Sequence, residues 1–171
     1  MGGNYESIVG EYSPFLMPTF TAYALTRGLT YRFRYRVRNC IGWGPFSNDA
    51  YFLAASEPVA PPMPQLVSTS SKTVVLNLFP TKDNGGSVVT SYNLYRNLGT
   101  DGTAFQLVST NQYTYATDGF SATINVTAEG MTAGLYYQFA FTAVNIIAES
   151  DWSPVLEVAV ADPPSQPNPV S

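Results

Sequence analysis

Histidine is absent from the 171 residues. That removes the Ser–His and Cys–His nucleophile pairs, the usual proton shuttle and most zinc-ligand sets. Cysteine occurs once, at Cys40, so no disulfide can close within the chain and the redox compartment stays open. Charge is scarce too: Asp, Glu, Lys and Arg make up 12% of the residues, about half the usual share. The net charge of −4 leaves no dominant basic face, so nucleic acid is not an expected partner. No apolar run approaches the ~20 residues of a membrane span, and the N-terminus has no basic-then-apolar signal pattern. There is no Gly-rich phosphate loop leading into a helix, no motif that places two carboxylates together, and no Arg-Gly-Asp tripeptide. The expectation is a chain with no catalytic residue, no cofactor and no metal.

What is present favours packed strands. Apolar residues make up 45% and aromatics 14%, ample for a core. The surface is polar but largely uncharged, a composition commoner outside cells than inside. Strand-forming runs recur at short spacing: Val74–Leu78, Ser91–Tyr95, Ala122–Val126, Tyr137–Val144 and Val155–Val160. Each is β-branched or aromatic and bounded by Gly, Pro, Asn or Asp, which predicts an all-β sandwich. The stretches Lys82–Ser87 and Thr100–Thr103 read as exposed tips, with Asn-Gly and Asp-Gly supplying the positive backbone angles of turns.

One stretch occurs twice. Leu25–Asn39 (LTRGLTYRFRYRVRN) returns about a hundred residues later as Met131–Asn145 (MTAGLYYQFAFTAVN). Two proline clusters, 57–64 and 162–169, punctuate the chain and read as stiff, extended segments leading into a domain. The period divides the chain into 1–57, 58–162 and a linker over 163–171 that opens a further repeat.

These residues resemble a fibronectin type III module, whose turn-and-strand signature is Leu-x-Pro-Gly-Thr-x-Tyr-x-Phe-x-Val-x-Ala-x-Asn followed by Gly and Ser. The first copy supplies Leu25, Gly28, Tyr31, Phe33, Tyr35, Val37 and Asn39, then Gly42, Gly44 and Ser47. The second supplies Met131, Gly134, Tyr137, Phe139, Phe141, Ala143 and Asn145, then Ala148, Ser150 and Ser153. Arg27 and Ala133 stand where the signature has Pro, and Leu76 or Leu78 where the second strand usually has Trp. The resemblance implies tandem immunoglobulin-like β-sandwiches, with tyrosine corners made by Tyr31 and Tyr137. It also implies that the first repeat lacks its strands A to C, Tyr5–Val9 aligning with Phe105–Val108. The remainder of that repeat was either not included in the chain or is supplied by another polypeptide. The role implied is that of a non-catalytic structural or adhesive repeat of a larger multidomain protein. It would bind proteins, including neighbouring repeats, at a cell surface or in an extracellular assembly. A cytoskeletal or axonemal scaffold in the cytoplasm, and a spacer in a secreted carbohydrate-active enzyme, are the alternatives.

Three features fall outside the strand pattern. Arg32, Arg34, Arg36 and Arg38 alternate with Tyr31, Phe33, Tyr35 and Val37, so the four guanidinium groups share one face while the aromatics turn to the core. That face is either solvated, or a ladder with rings such as Trp43 and Phe46 slotted between the Arg planes, or a dock for an acidic neighbour. Residues 1–57 hold five Arg and four acids, whereas 58–171 hold eight acids against Lys72, Lys82 and Arg96. Asn125-Val126-Thr127 is an N-glycosylation triplet, with Asn125 expected to point outward between Ile124 and Val126. Cys40 is expected to be a small, partly buried apolar residue.

Overall fold

The computed structural model describes residues 4–99, 104–108, 113–114 and 119–166, the pair 113–114 by its backbone alone. The expected turn at 100–103 and residues 167–171, which include the end of the second proline cluster, lie outside the described residues. Among the described residues, ten strands occur in the order β1 Thr30–Phe33, β2 Ala50–Leu53, β3 Gln65–Thr69, β4 Thr73–Leu78, β5 Ser91–Asn97, β6 Phe105–Leu107, β7 Tyr113–Thr114, β8 Phe120–Asn125, β9 Tyr136–Val144 and β10 Leu156–Ala159. All pairings are antiparallel, and the described residues contain no helix.

Strands β3 to β10 form a β-sandwich. One sheet runs β3-β4-β8; the other runs β10-β9-β5-β6, with β7 also bonded to β5. Period-two patterning explains the packing. In β4, Val74, Leu76 and Leu78 point inward while Thr73, Val75 and Asn77 lie outward. Ala122 and Ile124 of β8 join them, and Tyr92, Leu94, Phe139, Phe141 and Val158 close the core from the other sheet. Burying each large side chain stabilises the fold by about 1.5–3 kcal/mol. At Leu66/Ser68 the β3 register shifts by one residue. Such a bulge twists an edge strand away from unwanted pairing.

From Thr30 to Leu53 the first copy of the repeat pairs as the second does, with residue numbers differing by 106, as between Tyr31 and Tyr137. Thr30↔Leu53 and Phe33↔Ala50 in β1–β2 match Tyr136↔Ala159 and Phe139↔Leu156 in β9–β10. Ser47 N–H donates to Tyr35 O, as Ser153 does to Phe141. Gly44 N–H donates to Val37 O as Ser150 does to Ala143, and Asn39 N–H to Gly42 O as Asn145 does to Ala148.

The copies differ along one edge. The repeated sequence predicts an alternating strand as far as Asn39, yet β1 stops at Phe33, and only an isolated bridge, Arg38↔Trp43, follows. In the sandwich, β9 is bonded to β10 on one side and to β5 on the other. Among the described residues, no strand lies along the second side of residues 34–39. Without it the inward positions have nothing to pack against. Tyr35 is 72% and Val37 69% exposed, whereas their counterparts Phe141 and Ala143 are fully buried. The aromatics of the first copy do not all enter a core as expected. Cys40 is likewise exposed rather than partly buried, because the tip that carries it stands beyond the last paired residue.

Candidate functional site

On an extended chain, residues two apart project from the same face about 6.7 Å apart. That gap accommodates one aromatic ring between two guanidinium planes, each carbon contact needing about 3.5–4 Å. The exposed face of residues 32–38 has this arrangement. Arg34 lies between the rings of Tyr5 (3.6 Å to the centroid) and Phe46 (4.0 Å). Arg36 lies between Phe46 (4.6 Å) and Trp43 (4.5 Å). Arg32 covers the outer side of Tyr5 at 4.3 Å, and Arg38 sits over Trp43 at 5.5 Å. The order is therefore Arg32, Tyr5, Arg34, Phe46, Arg36, Trp43, Arg38. Each exposed cation–π contact contributes about 0.5–1 kcal/mol.

One end of the stack is anchored. Asp49 accepts a hydrogen bond from the Tyr5 hydroxyl and pairs with Arg32 at 3.5 Å. Desolvation and then that bond to Asp49 hold the Tyr5 phenol above its usual pKa.

The four Arg and Trp43 were legible from period two and from GWGPFS; Tyr5 was not expected there. A signal for it existed. The repeat aligns Tyr5 with Phe105, and Phe105 packs edge-on against Trp152 at 4.9 Å, the counterpart of Phe46.

Among the described residues, the sandwich has no such ladder. Gln138, Ala140, Thr142 and Val144 occupy the four Arg positions, and Glu149 stands where the first copy has Trp43. Glu149 accepts hydrogen bonds from Asn93 Nδ2 (3.0 Å), from the Tyr95 hydroxyl (2.9 Å) and from the Thr142 hydroxyl. Burial alone would raise its carboxyl pKa, but the three bonds outweigh burial and hold it below the usual range. The Tyr95 phenol is raised, by desolvation first and then by its bond to Glu149. Its ring stacks on Trp152 with centroids 4.6 Å apart.

A second constellation joins the first repeat to the sandwich. Arg27, which stands where the family signature has Pro, pairs with Asp83 at 2.7 Å and donates to Ser56 Oγ at 3.4 Å. Ser56 N–H donates to Gly85 O (2.8 Å) and Val59 N–H to Asp83 O (2.9 Å). Asn145 Nδ2 donates to both Ser56 O (2.8 Å) and Asn84 O (2.9 Å). The Arg27 bond, then the Gly85 N–H, hold the Asp83 carboxyl below its usual pKa. Gly85 (φ +77°) is buried here; a Cβ on it would overlap Ser56 O and lie 2.6 Å from Glu57 O. The stretch Lys82–Ser87 is thus not the exposed tip its turn chemistry suggested. Asn-Gly-Gly marks a turn in sequence, but nothing local reveals what packs on it.

The remaining expected residues have clear places. The Tyr31 hydroxyl accepts the Thr26 N–H at 2.7 Å, and the Tyr137 hydroxyl accepts the Thr132 N–H at 2.7 Å. Asn125 is the last residue of β8 and points outward. Its Oδ1 accepts the Ala128 N–H at 3.0 Å. Among the described residues, no group of three or more Cys, Asp or Glu is placed to hold a metal ion, and no helix is long and apolar enough to cross a membrane.

No family model matches the sequence. Among solved structures, the chain is similar to domains A168–A170 of titin, with a TM-score of 0.58 at 18% identity over 81% of this chain and 43% of that one. It is also similar to the FN1–FN3 domains of chicken contactin, with a TM-score of 0.51 at 17% identity over 84% and 46%. The twitchin kinase region of C. elegans aligns with a TM-score of 0.52 at 25% identity, over 62% of this chain and 17% of that one. The chain spans less than half the length of each of these three structures. Its fold is that of fibronectin type III β-sandwiches.

Proposed function

We propose that this fibronectin type III chain is a non-catalytic, protein-binding repeat segment of a larger multidomain protein. It spaces its neighbours and presents them in a set orientation, at a cell surface or in an extracellular assembly. In this reading, residues 1–57 are the C-terminal part of one module, 58–162 a complete second module, and 163–171 the linker to a further repeat. The observation that carries it is the junction. Arg27, Ser56, Asp83, Gly85 and Asn145 tie the first repeat to the loop 82–87 and to the sandwich by charged and backbone hydrogen bonds. A free hinge would need none of them. Support also comes from the multidomain segments of titin and contactin, which align over 81% and 84% of the chain.

The test is backbone ¹⁵N relaxation. One rotational correlation time for residues 26–57 and 65–160 is expected, splitting into two in Gly85→Val, where the side chain would strike Ser56 and Glu57. Two independent times in the unaltered chain would contradict the spacing role. The compartment is testable at Asn125. Expression through a eukaryotic secretory route should add a glycan that a glycosidase removes, and an unmodified mass from that route would favour the cytoskeletal alternative.

A further inference from the structure

We propose that Asn84 is a self-modification site, where cyclisation onto Gly85 and hydrolysis to isoaspartate undock the first repeat from the sandwich. This rests on the fixed junction of the proposed role. Asn84-Gly85 is the only Asn-Gly pair in the sequence, and it lies in the loop 82–87 that carries the junction. Asparagine is a thermolabile residue. It is most so before glycine, whose missing side chain leaves the main-chain nitrogen free to attack. Docking itself demands that glycine, since a Cβ at residue 85 would overlap Ser56 O and lie 2.6 Å from Glu57 O. The close approach and the chemical weakness therefore have one cause.

The reaction needs only water. The Gly85 nitrogen gives up its proton and attacks Asn84 Cγ, the Cγ–Nδ2 bond breaks, and ammonia leaves with that proton. Water then opens the resulting succinimide ring. Breaking the new bond leaves aspartate; breaking the original peptide bond leaves isoaspartate, with the main chain routed through the side chain and longer by a methylene.

The docked loop opposes the first step. Ring closure must swing the peptide unit between residues 84 and 85, and both of its polar atoms are held. Asn145 Nδ2 donates to Asn84 O at 2.9 Å, and the Gly85 N–H donates to Asp83 Oδ1 at 3.0 Å. The other oxygen of Asp83 pairs with Arg27 at 2.7 Å, so an ionised carboxylate sits against the nitrogen that must lose its proton. A like charge beside a developing anion disfavours it. Asn84 is itself exposed, so water reaches the ring once the loop has opened. The two products then part ways. The added methylene of isoaspartate displaces Gly85 O, which accepts the Ser56 N–H at 2.8 Å. Aspartate keeps the main-chain spacing, and its carboxylate can still accept the Gly86 N–H that Asn84 Oδ1 holds at 2.9 Å.

The test incubates the full chain and a synthetic peptide of residues 79–90 at mildly alkaline pH, and follows isoaspartate at residue 84 by fragment-ion mass spectrometry. Reaction only through the opened loop should make the chain at least about tenfold slower than the peptide. Arg27→Ala, which removes an exposed side chain and loosens the junction, should recover most of that factor. The purified isoaspartyl form should show two rotational correlation times in ¹⁵N relaxation, and Asn84→Asp only one. An unmoved rate in Arg27→Ala, or an isoaspartyl form that tumbles as one body, would overturn the proposal. Equal rates of chain and peptide, in a chain that tumbles as one body, would overturn this proposal alone. Two correlation times in the unaltered chain at the outset would overturn the spacing role and this proposal with it.

Discussion

Tyr31 and Tyr137 make the same bond, hydroxyl to backbone N–H, in unequal surroundings. Tyr137 is 2% exposed, so Tyr137→Phe leaves the Thr132 N–H without its partner in a dry site. The expected loss is about 1–2 kcal/mol in urea denaturation. Tyr31 is more accessible, water can replace its hydroxyl, and Tyr31→Phe should cost only about 0.5 kcal/mol; equal losses would contradict this assignment of burial. Glu149 gives a pH signature. Its folded-state pKa lies below the usual value because the bonds from Thr142, Asn93 and Tyr95 outweigh burial. Its contribution is therefore complete above the unfolded pKa of about 4.3 and is lost as pH falls through the lower folded value. Thermal melts between pH 3 and 6, the range bracketing the ordinary Glu pKa, should show acid destabilisation that is shallower in Glu149→Gln. An unchanged slope would remove Glu149 as a source of the pH dependence.

At the scale of the strand, one repeated signature has two fates. Phe141 of β9 and Tyr35 occupy equivalent positions, but only Phe141 has β5 beside it and a facing sheet. Phe141→Ala should destabilise the sandwich by about 3–5 kcal/mol, a large part of the 5–15 kcal/mol that holds a typical domain. Tyr35→Ala should change stability by no more than about 0.5 kcal/mol. Chemical denaturation of both variants checks the contrast, and comparable losses would mean that residues 33–38 are buried in solution. The strands of the sandwich were legible because turn residues bracket β-branched and aromatic runs: Ser91–Tyr95 became Ser91–Asn97, and Tyr137–Val144 became Tyr136–Val144. The early end of β1 was not legible. A strand's length depends on partners that its own residues do not name. The Arg face was readable from period two, whereas Tyr5 was marked only by the alignment of its segment with Phe105–Val108, which names no Arg partner.

Over the whole molecule, orientation rests on a junction whose parts are scattered: Arg27 before β1, Ser56 after β2, the loop 82–87 and Asn145 after β9. No spacing rule links them, so this was the least readable feature of the sequence. Asp83 adds a condition. Its pKa is lowered by the Arg27 bond and then by the Gly85 N–H, so the contact is intact above the ordinary Asp value of about 3.9 and weakens as pH falls below it. The most direct test of a fixed junction uses the exposed native Cys40 and a second spin label at Thr123→Cys, on the outer face of β8. Double electron–electron resonance should give one narrow distance distribution at pH 7, the ordinary range of ionised Asp, and a broad one in Gly85→Val or Arg27→Ala. A broad distribution in the otherwise unaltered chain would show that the repeats swing freely and would contradict the account.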